Sequence, residues 1–274
     1  MKVFNDFKEA IKFSRKGEFF IFYRGVLFPF KWDYKGSDKT VLFLPGRTAR
    51  DRKPIPVFQR SSYFDSVNAN VVSCFDPTLF WSKSLTLGWF QGRNSIFYAD
   101  LLGELVLKLL SVFKTENKNF YLYGTSGGGI PGFNIAKKVN ECTLYVSNVQ
   151  VDVSRYHHKF FKQMADVSYA QFSLADILVE MYDRLSVVNI DGGFDLIYSQ
   201  NKSDKFHYEN HFKYYCDEHK KRSINSRFYL YNDPDTGHDP LPRDTELLII
   251  DNILNGKSIL DILPNSVEVQ QEGI

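Results

Sequence analysis

The chain has 274 residues, of which 43% are hydrophobic and 16% aromatic, enough to bury one large core. Its length fits a single α/β domain over residues 1–274 better than two domains. Lys and Arg number 34 against 32 Asp and Glu, and the charges are scattered, so the basic stripe of a nucleic-acid-binding protein is excluded.

Cysteine usage and the apolar runs indicate the compartment. Cys74, Cys142 and Cys216 lie far apart without a CxxC pair, which predicts neither a disulfide framework nor a zinc site. No run approaches the roughly 18 to 20 apolar residues of a membrane span, and charges interrupt the N-terminal segment where a secretory signal is apolar. We expect a soluble cytoplasmic protein without a metal or a permanently bound cofactor.

The predicted elements alternate between strand and helix after an N-terminal hairpin. Phe4–Phe13 has helical spacing, and Glu18–Tyr23 and Val26–Trp32 flank Arg24-Gly25 as in a hairpin. Further strands are predicted, in chain order, at Thr40–Leu44, Asn70–Phe75, Asn119–Tyr123, Thr143–Val149, Phe194–Ser199 and Arg227–Tyr231. Helices are predicted at about 96–113, from Ser126 to 138, and at about 244–254. This alternation predicts a mostly parallel sheet with helices on both faces.

Residues 150–188 interrupt the alternation and are rich in aromatic residues and histidines. Ser173-Leu174-Ala175-Asp176 resembles a capping box ahead of an apolar run. We expect a helical insertion that forms a lid, although an extended crossover fits the pattern equally well. The last residues, Glu268–Ile274, are expected to be a frayed tail.

The run Gly124-Thr125-Ser126-Gly127-Gly128 matches the G-x-S-x-G motif. A serine hydroxyl is a weak nucleophile, so an enzyme must expose it on a rigid turn beside a base and beside donors for an oxyanion. The strand-like run before the motif and the helix-compatible segment after it supply that turn. The run lacks the Lys-Ser/Thr of a Walker loop and the spacing of a dinucleotide fingerprint. Ser126 is therefore the predicted nucleophile.

The base and the acid should follow the serine in the order acid, then histidine. His238 is the predicted base because it lies in a turn of Gly, Asp and Pro after the last predicted strand. Asp204 is the preferred acid, since it follows a strand end and can hold the imidazole in one tautomer. Asp191 and Asp195 lie at the opposite end of that strand, where ligands do not gather.

Two other runs each have a structural and a functional interpretation. His207 and His211 are four residues apart, and without an evident third ligand a solvated helix face is favoured over a metal site. The run Gly88-Trp89-Phe90-Gln91-Gly92 favours core packing slightly over a sugar or acyl platform.

The oxyanion hole should consist of two backbone amides. One is the amide of Gly127, and the other comes from the loop after Thr40–Leu44, where Gly46 and Arg47 are both candidates. The loop is basic, and its cations are Arg47, Arg50, Arg52 and Lys53. A solvated basic loop is favoured over attraction of an anionic substrate such as a phosphorylated glycan or the phosphates of coenzyme A.

Several of these passages resemble the α/β-hydrolase superfamily, from about residue 20 onward. They are Leu42–Gly46, the turn Gly124–Gly129, the Asp204 loop and the His238 turn. Four runs resemble bacterial proteins of surface-polysaccharide synthesis, some of which are capsule O-acetyltransferases: Asp76–Leu79, Leu87–Gly92, Tyr123–Gly129 and Val146–Gln150. A departure is Pro131, early in the helix after Ser126, where proline is tolerated.

The resemblance implies an α/β-hydrolase fold with Ser126, Asp204 and His238 as a triad. It also implies acetyl transfer through Ser126 to a glycan hydroxyl, with acetyl-coenzyme A as a candidate donor, and association with a polysaccharide-synthesis complex. An esterase would follow the same steps and differ only in the acceptor of the acyl group, which is water. The alternative from another class is a non-catalytic accessory protein of a glycan-assembly complex, since fold alone does not imply chemistry.

Overall fold

The computed structural model describes residues 1–51, 54–93, 96–219 and 222–269. Within them the strands are β1 Lys2–Phe4, β2 Lys16–Tyr23, β3 Val26–Asp33, β4 Thr40–Leu44, β5 Asn70–Cys74, β6 Phe120–Thr125, β7 Thr143–Ser147, β8 Asp195–Asn201, β9 Asn225–Tyr231 and β10 Val267–Val269. The helices are α1 Phe7–Phe13, α2 Tyr98–Phe113, α3 Gly129–Val139, α4 His158–Ser168, α5 Leu174–Glu180, α6 Tyr182–Leu185, α7 Lys205–His207, α8 Lys213–His219 and α9 Arg243–Leu254. A π-helical turn, Tyr208–Phe212, joins α7 to α8.

These strands form one sheet in the order β1-β2-β3-β5-β4-β6-β7-β8-β9-β10. Strands β5, β4, β6, β7, β8 and β9 are mutually parallel, while the pairs β2–β3, β3–β5 and β9–β10 are antiparallel. Arg24 and Gly25 both have positive φ, 46° and 81°, as a tight two-residue hairpin turn between β2 and β3 requires. The predicted α/β-hydrolase fold is confirmed.

Side-chain alternation along the strands divides the core into two layers. Leu42 and Leu44 on β4 face a layer that contains the buried sides of α1, α2, α3, α4 and α8. Val41 and Phe43 face the opposite layer, which α9 covers. Successive strand residues point to opposite faces, so a fully apolar strand such as β4 needs helices on both sides.

The segment 150–188 contains α4, α5 and α6. Ser173 accepts a hydrogen bond from the Asp176 amide, and the Asp176 carboxylate accepts one from the Ser173 amide, which completes a capping box at α5. Closure of this segment as a lid stays a prediction. In the described ranges, no helix is both long and apolar enough to cross a bilayer.

Several boundaries differ from the sequence prediction by one or more residues. Residues 2–4 form β1 beside β2 instead of beginning the helix. Strand β7 ends at Ser147, because Asn148 takes a positive φ of 48° that leaves the strand region. The frayed tail was wrong for Glu268 and Val269, which pair with β9 in β10 and cover the sheet edge. Residues 270–274 lie outside the described residues.

A buried ion pair fixes α9 under the carboxyl ends of the strands. Arg60 and Glu246 approach to 2.7 Å, with 6% and 2% of their side chains exposed. The Glu246 carboxylate also accepts hydrogen bonds from the Tyr63 and Tyr123 hydroxyls, at 2.7 and 3.0 Å. Several donors therefore converge on one buried carboxylate, which compensates for its removal from water.

Replacing Glu246 by alanine should destabilise the protein strongly, because it leaves the Arg60 guanidinium buried without a counter-charge. We expect the free energy of unfolding, measured by urea denaturation, to fall by about 3–5 kcal/mol. Asp166→Ala is the control, since it breaks the exposed Lys162–Asp166 pair on α4 and should cost less than about 1 kcal/mol. Equal losses in both variants would show that the buried Arg60–Glu246 pair contributes no more to the free energy of unfolding than the exposed pair does.

Candidate active site

Ser126 lies on a sharp turn between β6 and α3. Its φ is +51°, in the left-handed region that non-glycine residues seldom occupy. Gly124 has no room for a side chain, because a Cβ there would lie 2.9 Å from the carbonyl oxygen of Gly128. The predicted elbow is therefore present, with the serine held in a strained conformation.

The structure brings His238 and Asp204 to this serine. His238 Nε2 lies 3.1 Å from Ser126 Oγ, and His238 Nδ1 lies 2.6 Å from Asp204 Oδ2. Asn201, the last residue of β8, fixes the histidine turn by donating to the carbonyl oxygens of Asp233 and Gly237 at 2.7 and 2.9 Å. The residues predicted as nucleophile, base and acid thus form one hydrogen-bonded line.

Asp204 is surrounded by hydrogen-bond donors. It caps α7, where the His207 amide donates to Oδ1 at 3.3 Å, and His207 Nδ1 lies 3.1 Å from the same oxygen. Burial alone would raise the pKa of Asp204, but the hydrogen bonds from His207 and His238 outweigh burial and hold that pKa well below its ordinary value. The carboxylate is therefore ionised over the physiological pH range.

Gln150 and His207, to which the sequence analysis gave no catalytic role, complete the surroundings of Ser126. Gln150 Nε2 lies 3.2 Å from Ser126 Oγ and 2.7 Å from His207 Nε2. Gln150 Oε1 accepts a hydrogen bond from Trp89 Nε1 at 3.1 Å. The signals in the sequence were the histidine-rich segment after Asp204 and the two runs, Leu87–Gly92 and Val146–Gln150, that carried the family resemblance.

The interpretation of His207 and His211 as a solvated face was wrong, since only 3% and 0% of these residues are exposed. His207 stacks on His238, with ring centroids 4.0 Å apart and planes 11° from parallel. Burial lowers the pKa of His207 more than its hydrogen bond to Asp204 raises it, so the ring is neutral. The His207 ring lies inside the protein, where it bonds to Asp204 through Nδ1 and to Gln150 through Nε2.

Asp204, His207 and His238 offer donor atoms within 4.8 Å of one another, close enough to ligate a metal ion. Both imidazoles, however, direct their Nδ1 atoms at the Asp204 carboxylate. A metal at this point would replace the hydrogens that hold His238, so the donor set fits hydrogen bonding better than ligation.

Of the two oxyanion candidates after β4, the amide of Gly46 is already occupied. It donates to Gln59 Oε1 at 3.0 Å, while Gln59 Nε2 donates to the Arg47 carbonyl oxygen at 3.0 Å. Within the described part of the chain, the Arg47 amide has no hydrogen-bond partner. Gly127, directly after Ser126, carries the other amide of the predicted pair, and the oxyanion hole itself stays a prediction.

The cations of the basic loop are not all solvated, in contrast to the prediction, since Arg50 bonds to the protein while Arg47 is exposed. Arg50 Nη1 donates to the carbonyl oxygens of Leu79 and Leu85, at 2.9 and 3.0 Å, and to that of Ser82, so it braces the protein interior. Arg47 is exposed, and its guanidinium lies over the ring of Phe160 at 5.1 Å. Arg52 and Lys53 lie outside the described residues.

A cleft of about 420 Å³ opens beside Ser126 and His238. Six of its lining residues have hydroxyl or amide side chains: Tyr123, Thr125, Tyr145, Ser147, Asn148 and Tyr231. Arg47 and Tyr156 also line it. The lining is therefore polar, and several of its groups bond within the protein: Tyr123 to Glu246, Tyr145 to Ser199 and Asn148 to Tyr231.

The Gly88–Gly92 run is packed in the core, as the sequence favoured, with Trp89 and Phe90 each 1% exposed. Asp76 holds this loop, because its Oδ2 accepts from the Phe90 amide and its Oδ1 from the Thr78 amide, both at 2.9 Å. Burial raises the pKa of Asp76 to about 6, although these hydrogen bonds oppose the rise.

No protein-family model matches the chain, and no curated protein sequence matches it. Solved structures do share its fold. An esterase/lipase from an uncultured bacterium superposes with a TM-score of 0.58 at 10% identity, over 89% of this chain and 85% of that one. Together with the sheet order, this places the chain in the class of α/β-hydrolase-fold proteins.

Within that class the chain resembles the capsule O-acetyltransferase of Neisseria meningitidis serogroup A, with a TM-score of 0.64 at 16% identity over 86% of this chain and 94% of that one. A histidine-to-alanine mutant of that protein in complex with CoA gives a TM-score of 0.62 at 15% identity over the same shares of the two chains. At these identities the likeness shows the fold.

The buried carboxyl of Asp76 predicts a pH-dependent loss of stability. Between about pH 4 and pH 6 the folded protein retains a proton that the unfolded chain has released, so the free energy of unfolding falls as pH rises. The total loss is about 3 kcal/mol for a shift of about two units. Asp204 acts in the opposite direction, since its lowered pKa gives stability that is lost only below about pH 4.

Comparison with Asp76→Asn isolates this effect, because the other titrating groups are common to both proteins. The introduced amide side chain supplies only one acceptor for two backbone amides, so the variant should be less stable at pH 4. Its deficit should shrink by about 2 kcal/mol between pH 4 and pH 6, the part of the total loss that falls within this window. A deficit that stays constant with pH, in urea denaturation, would argue against a buried protonated Asp76.

Proposed function

We propose that the protein is a serine-dependent acyl-transfer enzyme with Ser126 as nucleophile, His238 as general base and Asp204 as the acid that orients it. The observation that carries the proposal is the hydrogen-bonded line from Ser126 Oγ through His238 to Asp204, beside an open cleft. An activated serine needs an adjacent base and a third group that orients the base.

In the first step Ser126 Oγ attacks the carbonyl carbon of an ester or thioester, and its proton passes to His238 Nε2. Asp204 keeps the imidazole in the tautomer with Nδ1–H and stabilises its charged form. The amides of Gly127 and Arg47 donate to the oxyanion. The Arg47 amide is preferred to the Gly46 amide for this role because the Gly46 amide already donates to Gln59. Departure of the alcohol or thiol takes the proton from His238 and leaves an acyl-serine.

In the second step a hydroxyl group gives its proton to His238 and attacks the acyl-serine, which releases Ser126. With water as acceptor the enzyme is an esterase, and with a sugar hydroxyl it is an O-acetyltransferase. The polar lining of the cleft supports a carbohydrate acceptor or ester over an apolar one. Closure of residues 150–188 over the cleft would exclude water.

Acetyl-coenzyme A is the proposed acyl donor of the transferase. Its phosphates need cations, and the exposed guanidinium of Arg47 lies at the wall of the cleft next to Ser126. The CoA complex of the structurally similar capsule O-acetyltransferase supports this donor. A surface polysaccharide of a bacterium is the proposed acceptor, in line with the name of that protein.

The proposal includes a cytoplasmic location and association with a polysaccharide-synthesis complex. A chain of the glycosylation-associated Gap123 complex of Streptococcus agalactiae shares the fold, with a TM-score of 0.56 at 13% identity, and the match covers 86% of this chain but only 46% of that one. This likeness favours the accessory-protein alternative. The hydrogen bond between His238 and Ser126 weighs against it, since a scaffold has no need of an oriented base.

Exposure to a fluorophosphonate, and separately to acetyl-coenzyme A, tests the activated serine by intact-protein mass. We expect a single fluorophosphonate adduct on the wild type and none on Ser126→Ala. A Ser126-dependent acetyl adduct from the thioester would favour the transferase over the esterase. Absence of any adduct from either reagent would support the accessory-protein alternative.

Exchange of the proposed acid should abolish most turnover. Asp204→Asn leaves the shape but no longer holds His238 as the Nδ1–H tautomer, so kcat for p-nitrophenyl acetate should fall by about 10³- to 10⁴-fold. Asp195→Asn is the matched control, because Asp195 lies at the far end of β8, where its carboxylate accepts a hydrogen bond from Asn225 on the surface. Loss of turnover in Asp195→Asn alone would refute the assignment of the acid.

A further inference from the structure

We propose that Gln150 is a further catalytic residue, which donates a hydrogen bond to Ser126 Oγ during acyl transfer, and that His207 is a positioning residue which holds the Gln150 amide. Together we call Gln150 and His207 the glutamine arm, because they connect Ser126 to Asp204 by a route that avoids His238. This inference rests on the proposed function, since it concerns the same nucleophile.

Trp89 fixes which way the Gln150 amide points. An indole N–H can only donate, so the Gln150 atom 3.1 Å from Trp89 Nε1 must be the carbonyl oxygen. The remaining atom of the amide is then its NH₂ group, which can only donate. That group faces both Ser126 Oγ and His207 Nε2.

Asp204 fixes the tautomer of His207 from the other end. An ionised carboxylate only accepts, so His207 Nδ1, 3.1 Å from Asp204 Oδ1, carries the hydrogen. Because the ring is neutral, its Nε2 has a free lone pair, which accepts from Gln150 at 2.7 Å. One hydrogen of the Gln150 NH₂ group is thereby committed to His207, and the other is directed at Ser126 Oγ.

The directions of all these hydrogen bonds are consistent with a serine ready to react. Ser126 Oγ gives its hydrogen to His238 Nε2, accepts one from Gln150, and keeps one lone pair for the acyl carbonyl. Acylation forms the Oγ–carbon bond while the Oγ proton moves to His238. In the second step that bond breaks, its electron pair returns to Oγ, and the proton returns from His238.

The Gln150 N–H lies at Oγ in both steps, so it stabilises negative charge on this oxygen whenever proton transfer and bond formation are out of step. Gln150 is fully buried, and its backbone amide donates to the Ser126 carbonyl oxygen at 3.1 Å. The side chain is therefore anchored to the residue on which it acts, and Gln150 itself is out of contact with solvent. A hydrogen bond in such surroundings is stronger than one in water.

Gln150→Leu and Gln150→Glu test the donor, with Gln91→Leu as the matched control. Glutamate keeps the shape and the acceptor for Trp89 but has no N–H for Ser126 when ionised. Gln91 is equally buried, with hydrogen bonds to Tyr169 and to the Arg184 carbonyl oxygen, and does not reach Ser126. The readouts are the rate of fluorophosphonate labelling and the kcat and KM for p-nitrophenyl acetate, with urea denaturation to verify folding.

We expect both Gln150 variants to lose about ten- to a hundred-fold in kcat and in labelling rate, with KM changed less than about three-fold. Gln91→Leu should lose stability while its kcat stays within about two-fold of wild type. If Gln150→Leu does not fold, Gln150→Glu carries the test alone. Gln150 variants that fold and react at the wild-type rate would overturn the inference.

A double-mutant cycle tests the positioning role of His207. His207→Phe keeps a ring against His238 but removes both hydrogen bonds of the arm. If His207 acts through Gln150, His207→Phe should lower kcat about ten-fold in wild type and have little further effect in Gln150→Leu. Additive losses would refute this role.

The outcomes separate this inference from the proposed function. A wild-type protein that no fluorophosphonate labels at Ser126 would overturn both the proposed function and the catalytic role of Gln150. Labelling of wild type at Ser126, with unchanged rates in the folded Gln150 variants, would overturn the role of Gln150 alone.

Discussion

The ionised carboxylate of Asp204 is the acceptor on which the geometry around Ser126 depends. It accepts from His238 Nδ1 at Oδ2, from the His207 amide at Oδ1, and from His207 Nδ1, which lies within 3.1 Å of both oxygens. Because a carboxylate only accepts, both imidazoles must present Nδ1–H to it, and in the neutral form of each ring Nε2 is then the acceptor. One carboxylate, on a residue that is 8% exposed, therefore places the Nδ1 hydrogens of two histidines.

The parallel sheet explains how residues so distant in sequence meet. Ser126 follows β6, Gln150 follows β7, Asp204 follows β8 and His238 follows β9, and these neighbouring strands all end at the same edge. Each strand contributes one polar side chain to a line that crosses the sheet edge. The apolar residues that pack in the core lie along the strands before these ends. The Arg60–Glu246 pair holds α9 against the same sheet. Stability and chemistry are therefore separated along the strand direction.

Much of this arrangement could be predicted from the sequence, because its signals are local. The elbow at Ser126 is a short motif in strand-turn-helix context, and the positions of Asp204 and His238 follow from strand ends counted along the chain. Gln150 and His207 could not be found in this way, since they are 57 residues apart and neither lies in a motif that implies their contact. The helical spacing of His207 and His211 suggested solvent exposure, but both are buried, and the His207 ring bonds to Asp204 and Gln150, which lie far from each other in the sequence. Strand β10 was missed for a similar reason. Val267–Val269 form a strand because they pair with the edge of β9, and this pairing is not visible in the local sequence.

The catalytic assignment is tested most directly by a crystal structure of the protein after reaction with a small fluorophosphonate, which mimics the tetrahedral intermediate of acyl transfer. We predict phosphorus bonded to Ser126 Oγ, the phosphoryl oxygen within hydrogen-bond distance of the Gly127 and Arg47 amides, and Asp204 still bonded to both histidines. Phosphorus on another residue, or a phosphoryl oxygen turned away from these amides, would contradict the assignment.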